Sequence, residues 1–222
     1  LMKLIAAEIV AAHGMASSKS LIHELLAIDK DEALVAALRA DVEDGGFFNA
    51  VGLHGFVEEA IFSWHLDATN NKSIRTNLCE AIRILLAQLS VYRFDTIKKT
   101  GRSRDVLRDF YQDLVPEELR KSLGEFYTPD WLVEYSVAKL GYDDDKWLVA
   151  RLLDPACGSG SFLLEAIEQK RRAALRAGWD TSRTIEMLTS TVWGFDLNPL
   201  AVQSSRVNFL ISIADLLQQC RG

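Results

Sequence analysis

Apolar positions in the first half of the chain recur at helical spacing. Leu53, Phe56, Val57, Ala60, Ile61 and Trp64 follow i, i+3, i+4, i+7, i+8 and i+11, and Leu78, Ile82, Leu85, Leu86, Leu89 and Tyr92 keep the same period. This predicts one helix over 53–66 and another over 78–92. Shorter apolar faces come from Leu21, Ile22, Leu25 and Leu26, and from Leu34, Val35, Leu38 and Val42, with Gly45-Gly46 breaking the chain after them. Val106, Leu107, Phe110, Tyr111 and Leu114 form a further stripe that Pro116 ends. Pro116-Glu117-Glu118 suits the first turn of a short helix, which Lys121 and Gly124 close.

The second half has a different rhythm. Trp147-Leu148-Val149 and Arg151-Leu152-Leu153 lead into Asp154-Pro155-Ala156-Cys157-Gly158-Ser159-Gly160, and a helical run follows with Leu163, Leu164 and Ile167 on one face. Thr191-Val192-Trp193-Gly194-Phe195-Asp196 reads as a short strand ending in an acid. Asn198-Pro199 then opens a helix with Val202, Val207, Leu210 and Ile211 inside. Strand, glycine turn, helix, strand, acid, helix is the opening of a parallel α/β sheet. The change of character falls near 120–128.

Composition adds exclusions. With 49% apolar and 25% charged residues, the chain is neither a disordered tail, a collagen-like rod nor a disulfide-stapled mini-protein. No uninterrupted apolar run approaches 18 residues, so no membrane span is expected. The first residue is Leu1 and no signal peptide is evident, so the chain is expected to be a piece of something longer. Cys79, Cys157 and Cys220 are odd in number and show no CxxC, which fits a reducing cytoplasm. The histidines (His13, His23, His54 and His65) have no metal-ligand spacing.

Charge argues against a bulk nucleic-acid binder. The net charge of −6 divides into −4 over residues 1–120 (14 basic, 18 acidic) and −2 over 121–222 (11 basic, 13 acidic). The best local basic stretch is 93–108, where Arg93, Lys98, Lys99, Arg102, Arg104 and Arg108 outnumber Asp95 and Asp105, but a solvated loop and helix face is the favoured reading of it. Trp64, Trp131, Trp147, Trp179 and Trp193 read as core or boundary packing.

Chemistry concentrates in three segments. Gly158 and Gly160 let a strand turn tightly into a helix and let a ligand approach bare backbone. A dinucleotide fingerprint would need a third glycine where Leu163 stands, and its acid about 20 residues on; Asp196 comes 36 residues after Gly160. Nicotinamide binding is therefore disfavoured. Asp196, at the end of the second strand, can accept hydrogen bonds from both hydroxyls of a ribose, or simply cap the next helix in competition with Asn198. In the third segment, Gly124-Glu125-Phe126-Tyr127-Thr128-Pro129, Thr128 and Pro129 are expected as N-cap and first-turn residue of a helix running to Leu140 and ending at Gly141. Such a helix start can also hold an anion, for instance an amino-acid carboxylate.

Gly124-Glu-Phe-Tyr-Thr-Pro129, Asp154-Pro-Ala-Cys-Gly-Ser-Gly160 and Gly194-Phe-Asp-Leu-Asn-Pro-Leu-Ala201, in this order, resemble the motifs of adenine-N6 DNA methyltransferases of restriction–modification and related phage-defence systems. Phe110 to Gly124 also resembles the helical lead-in of that group, so the likeness spans about 110–215. It implies an α/β protein: an all-helical region over 1–120, then a truncated Rossmann-like methyltransferase domain over 121–222. The implied cofactor is S-adenosyl-L-methionine (AdoMet). By the same resemblance Tyr127, Thr128 and Pro129 hold its methionine end and Asp154 meets its ammonium. Ala156, Cys157, Gly158 and Gly160 line the backbone approach, Asp196 takes the ribose hydroxyls, and Leu197 packs on the adenine.

One departure matters. Such enzymes carry an Asn/Asp-Pro-Pro-Tyr/Phe segment that receives the flipped base. The prolines here are Pro116, Pro129, Pro155 and Pro199, and none are adjacent. The expectation is an amino-terminal part with the front of a cofactor site, no catalytic residue of its own and no metal. The parent would transfer the methyl group directly to adenine N6 in double-stranded DNA, with specificity and nuclease subunits or fused domains as partners and no membrane. Two alternatives stay open: a non-catalytic scaffold subunit of the same fold in a DNA-processing complex, and a methyltransferase acting on RNA or protein glutamine.

Overall fold

The computed structural model describes residues 1–17, 19–57, 63–94, 118 and 128–220. The chain divides into two compact units, Leu1–Ile97 and Lys98–Gly222. The apolar stripe at 106–114, the segment opened by Pro116 (Glu118 apart) and all but the start of the basic stretch 93–108 lie outside the described residues.

Every described element of the first unit is helical: α1 (Met2–Ala12), α2 (Leu21–Leu26), α3 (Asp31–Ala37) running on as a π-turn (Leu38–Glu43), α4 (Gly46–Ala50), α5 (Trp64–Asp67) with a 3₁₀ turn (Ala68–Asn70), and α6 (Lys72–Leu89). Almost all of α1 is buried, including Lys3 and Glu8. Both charges are satisfied: Lys3 pairs with Glu43 at 2.6 Å, and Glu8 accepts from the Ser20 hydroxyl and the Ile22 N–H. Arg83 of α6 donates to the Asp31 carboxylate and to the Ile28 and Asp29 carbonyls, which fastens α6 to the start of α3.

The helix expected over 53–66 does not form at its start. Residues 51–57 are turns and bends, 58–62 lie outside the described residues, and a helix covers Trp64–Asp67. Gly55 adopts φ +74, a left-handed conformation that a right-handed helix cannot absorb. The apolar period survives, yet it serves a turn in which Phe56 stacks on Phe48 at 4.4 Å between ring centroids.

The second unit holds α7 (Asp130–Ala138), α8 (Asp144–Val149), β1 (Leu152–Asp154), α9 (Ser161–Arg176), α10 (Thr181–Thr191), β2 (Val192–Gly194) and α11 (Pro199–Gln219). Among the described residues its sheet is two parallel strands in the register Leu152–Val192, Leu153–Trp193 and Asp154–Gly194. The triplet 147–149 ends helix α8, leaving only the second triplet to build β1. Side chains alternate across the sheet. Val192 is buried with Leu163, Ile167, Met187, Leu188 and Ile213, while Leu153, Trp193 and Phe195 are exposed on the opposite face. A second cluster joins Val137, Trp147, Ala166 and Ala173, so α7 and α8 pack on α9.

One sequence reading is corrected here. Trp147 is in the core and Trp179 packs at its edge, but Trp64, Trp131 and Trp193 are exposed. Helix α11 is long and apolar enough to cross a membrane by length and composition (mean hydropathy 1.2 over 18 residues), although no uninterrupted apolar run that long exists; 56% of that window is buried within the protein, as in a core helix.

Candidate functional site

The site is built where the two strands end. The ladder runs past the strands: Phe195 N–H donates to the Asp154 carbonyl (2.9 Å) and Cys157 N–H to the Phe195 carbonyl (2.8 Å). This lays the loop 155–160 beside the end of β2. Gly160 N–H then donates to the Cys157 carbonyl (2.8 Å), closing a tight turn, and Gly160 itself sits at φ +97 as the residue that starts α9. A side chain there would be strained, and its Cβ would lie 2.7 Å from the Ser205 hydroxyl of α11.

Asp196 is the hub. Its Oδ2 accepts from Gly158 N–H and its Oδ1 from Asn198 N–H, both at 2.8 Å. It does not cap the next helix; Asn198 does, accepting from Leu200 N–H. Asp154, at the end of β1, accepts from Ala156 N–H at 3.1 Å. Both acids lie close to Cys157. Burial pushes that thiol up, and Asp154 and Asp196 push the same way against an opposing hydrogen bond with Ser205. A buried, protonated Cys157 fits a packing role at the turn.

Gly194 shows why β2 lies so near the loop. A Cβ there would meet Leu163 Cδ1 at 2.5 Å and Cys157 Cβ at 3.0 Å, so only a glycine lets strand, loop and α9 close together. Below the loop, the buried Asn208 of α11 donates to the Ser159 carbonyl at 3.0 Å. The sequence motifs include Gly194 without its packing role, and they leave out Ser205 and Asn208. The available signal was a polar series, Ser204, Ser205, Asn208 and Ser212, on the otherwise apolar inner face of α11.

The structure thus brings together Asp154, Ala156, Cys157, Gly158, Gly160 and Asp196. Leu197 follows Asp196 with its side chain fully exposed. Tyr127 lies outside the described residues. Thr128 is half-buried just ahead of α7, which packs on α9. It is not the N-cap: that position belongs to Pro129, whose carbonyl accepts from Val133 N–H at 3.1 Å and which offers no side-chain cap. Pro129 keeps an extended ψ of 143°, so helical geometry begins one residue later, at Asp130, whose acid occupies the favourable first turn. The helix also ends earlier than expected, at Ala138.

The architecture suits a nucleoside with a cationic, amino-acid-like end. Two carboxylates stand at adjacent strand ends, and among the described residues neither is paired with a Lys or Arg side chain. Between them the backbone is bare at Gly158, where a Cβ would point into open space. Among the described residues no group of three or more His, Cys, Asp or Glu side chains could hold a metal ion.

Comparison with known proteins identifies a family. Residues 102–219, just over half the chain, match the family described as N-6 DNA Methylase. An adenine-specific methyltransferase PglX of Streptomyces coelicolor is 32% identical over 116 residues, which cover 48% of this chain and 9% of that protein. A type I restriction enzyme MjaIX methylase subunit of Methanocaldococcus jannaschii is 28% identical over 120 residues, covering 53% of this chain and 19% of that protein. The chain therefore spans less than a fifth of either relative. No solved structure matches it.

Proposed function

The chain belongs to the N-6 DNA methylase family, and from that premise we propose that it contributes the cofactor-binding front of a cytoplasmic DNA methyltransferase. The enzyme moves a methyl group from AdoMet to adenine N6 in double-stranded DNA, within a restriction–modification or related phage-defence system. The domain over 121–222 is then the start of a Rossmann-like methyltransferase fold, preceded by a helical region over 1–120. The observation that carries the reading is the pair of strand-end carboxylates bracketing the glycine loop.

In this reading Asp196 takes the ribose hydroxyls. A carboxylate has about four lone-pair sites, and two backbone N–H groups use two of them here. Asp154 faces the ammonium group. Ala156, Cys157, Gly158 and Gly160 allow close approach to the main chain, Tyr127, Thr128 and Pro129 hold the methionine end, and Leu197 covers the adenine. When bound, the cofactor supplies a methyl group activated by its sulfonium. The residues on this chain bind and orient it, and position and electrostatics account for the rate. The name of the archaeal relative, a methylase subunit, supports separate specificity and nuclease partners.

A second reading, a non-catalytic scaffold of the same fold, makes a different prediction for methyl transfer. Titration calorimetry with AdoMet and with NAD, followed by methyl-transfer assays on DNA, RNA and protein acceptors, tests both. AdoMet is expected to bind weakly and NAD not at all. Transfer by residues 1–222 alone should be undetectable and should appear, on DNA, once a segment carrying an Asn/Asp-Pro-Pro-aromatic motif is supplied. Preference for NAD, or transfer to RNA or protein only, overturns the proposal. AdoMet binding without any transfer in the supplemented protein selects the scaffold.

A further inference from the structure

The inner face of α11 is apolar except for a polar series, Ser204, Ser205, Asn208 and Ser212, all buried. Two of these spend their hydroxyls on their own helix, Ser204 on the Leu200 carbonyl and Ser212 on the Phe209 carbonyl. Asn208 reaches out instead. Its side-chain amide donates to the Ser159 carbonyl across 49 positions of sequence, and both residues are only 2% exposed. A buried carbonyl left without a donor is expensive, so this contact has consequences for whichever conformation the loop adopts.

The Ser159 carbonyl and the Gly160 N–H belong to one planar peptide unit. Asn208 holds its oxygen edge, and the Cys157 carbonyl receives its N–H at 2.8 Å. The plane is therefore fixed from both sides. Its orientation sets the left-handed turn at Gly160 and the direction in which α9 begins. Asp196 does the corresponding work two peptide units earlier, at Gly158 N–H. The loop is gripped from β2 on one flank and from α11 on the other.

We propose that Asn208 is a positioning residue for the glycine loop, fixing the Ser159–Gly160 peptide and through it the affinity of the cofactor site, without touching the cofactor. The affinity half rests on the AdoMet reading above; the loop half does not. Amide exchange followed by NMR on residues 1–222 decides the loop half. In Asn208→Leu, which fills the space and removes the donor, Gly160 N–H should exchange at least tenfold faster than in the parent, with amides inside α10 unchanged. AdoMet titrated by chemical-shift change, which detects weak binding, should show Kd raised about tenfold. Unchanged Gly160 exchange in the folded variant overturns the proposal. Should Asn208→Leu not fold, the parent protein still decides: through-hydrogen-bond coupling from the Asn208 side-chain nitrogen to the Ser159 carbonyl carbon is expected, and its absence, with free-amide exchange of that NH₂, overturns the proposal. If the parent binds no AdoMet, the cofactor reading and the affinity half fall together, while Gly160 exchange still settles the loop half.

Discussion

At the scale of single residues, the site depends on side chains that are small or that accept from the backbone. Gly194→Ala drives a methyl group into Leu163 and Cys157. It should destabilise the second unit by about 1–3 kcal/mol, the usual range for overpacking, read from urea unfolding curves. Asp196→Ala removes two backbone acceptors as well as the proposed ribose contact, so AdoMet affinity should fall at least tenfold by calorimetry; an unchanged affinity would remove Asp196 from the ribose role. The sequence made the acids and loop glycines legible because their spacing is local and their chemistry has few other uses. The packing role of Gly194 escaped, as did Ser205 and Asn208, because their importance comes from what another segment brings against them. Thr128 misled for the opposite reason: a Thr-Pro pair is a good local start signal, but here the extended ψ of Pro129 delays the helix by one residue.

Among the elements, helix period was readable where nothing interrupted it. The stripe through Leu78, Leu85 and Leu86 becomes α6, whereas the equally regular stripe from Leu53 is broken by the backbone of Gly55. Periodicity reports which positions are apolar and cannot report a positive φ between them. One of the two X-Pro cap signals held. Asn198 caps α11 as its Asn-Pro signature suggests, and Asn198→Ala should cost about 1 kcal/mol. One tie between elements left no sequence signal. Lys170 of α9 is fully buried, and its ammonium donates to the Trp147 and Ala150 carbonyls at the C-terminus of α8, both at 2.7 Å. Burial pushes its pKa down to about 8, from 10.5 when exposed. Between these values the unfolded chain binds the proton and the folded chain does not, so stability rises with pH across that window and is flat from this source outside it. Relative to Lys170→Met, the parent should gain about 1.5 kcal/mol between pH 8 and 9.5, measured by urea unfolding at both pH values.

For the whole molecule, two compact units predict two calorimetric transitions. Gly194→Ala should lower one and leave the other where it was. The helical first half and the strand–loop–helix second half were legible from the change in hydrophobic rhythm alone. That change falls near 120–128, while the compact units divide the chain between Ile97 and Lys98. A span of charged and apolar residues between those points carries helical period without announcing which unit it joins.

Leu153, Trp193 and Phe195 place a leucine and two aromatic rings in water on one ribbon of sheet. Surfaces of that kind are poor at staying solitary. At the millimolar concentrations of a crystallisation drop, light scattering from this polypeptide should climb with added sulfate and subside when Trp193 is replaced by threonine, a residue content to line a wetted strand.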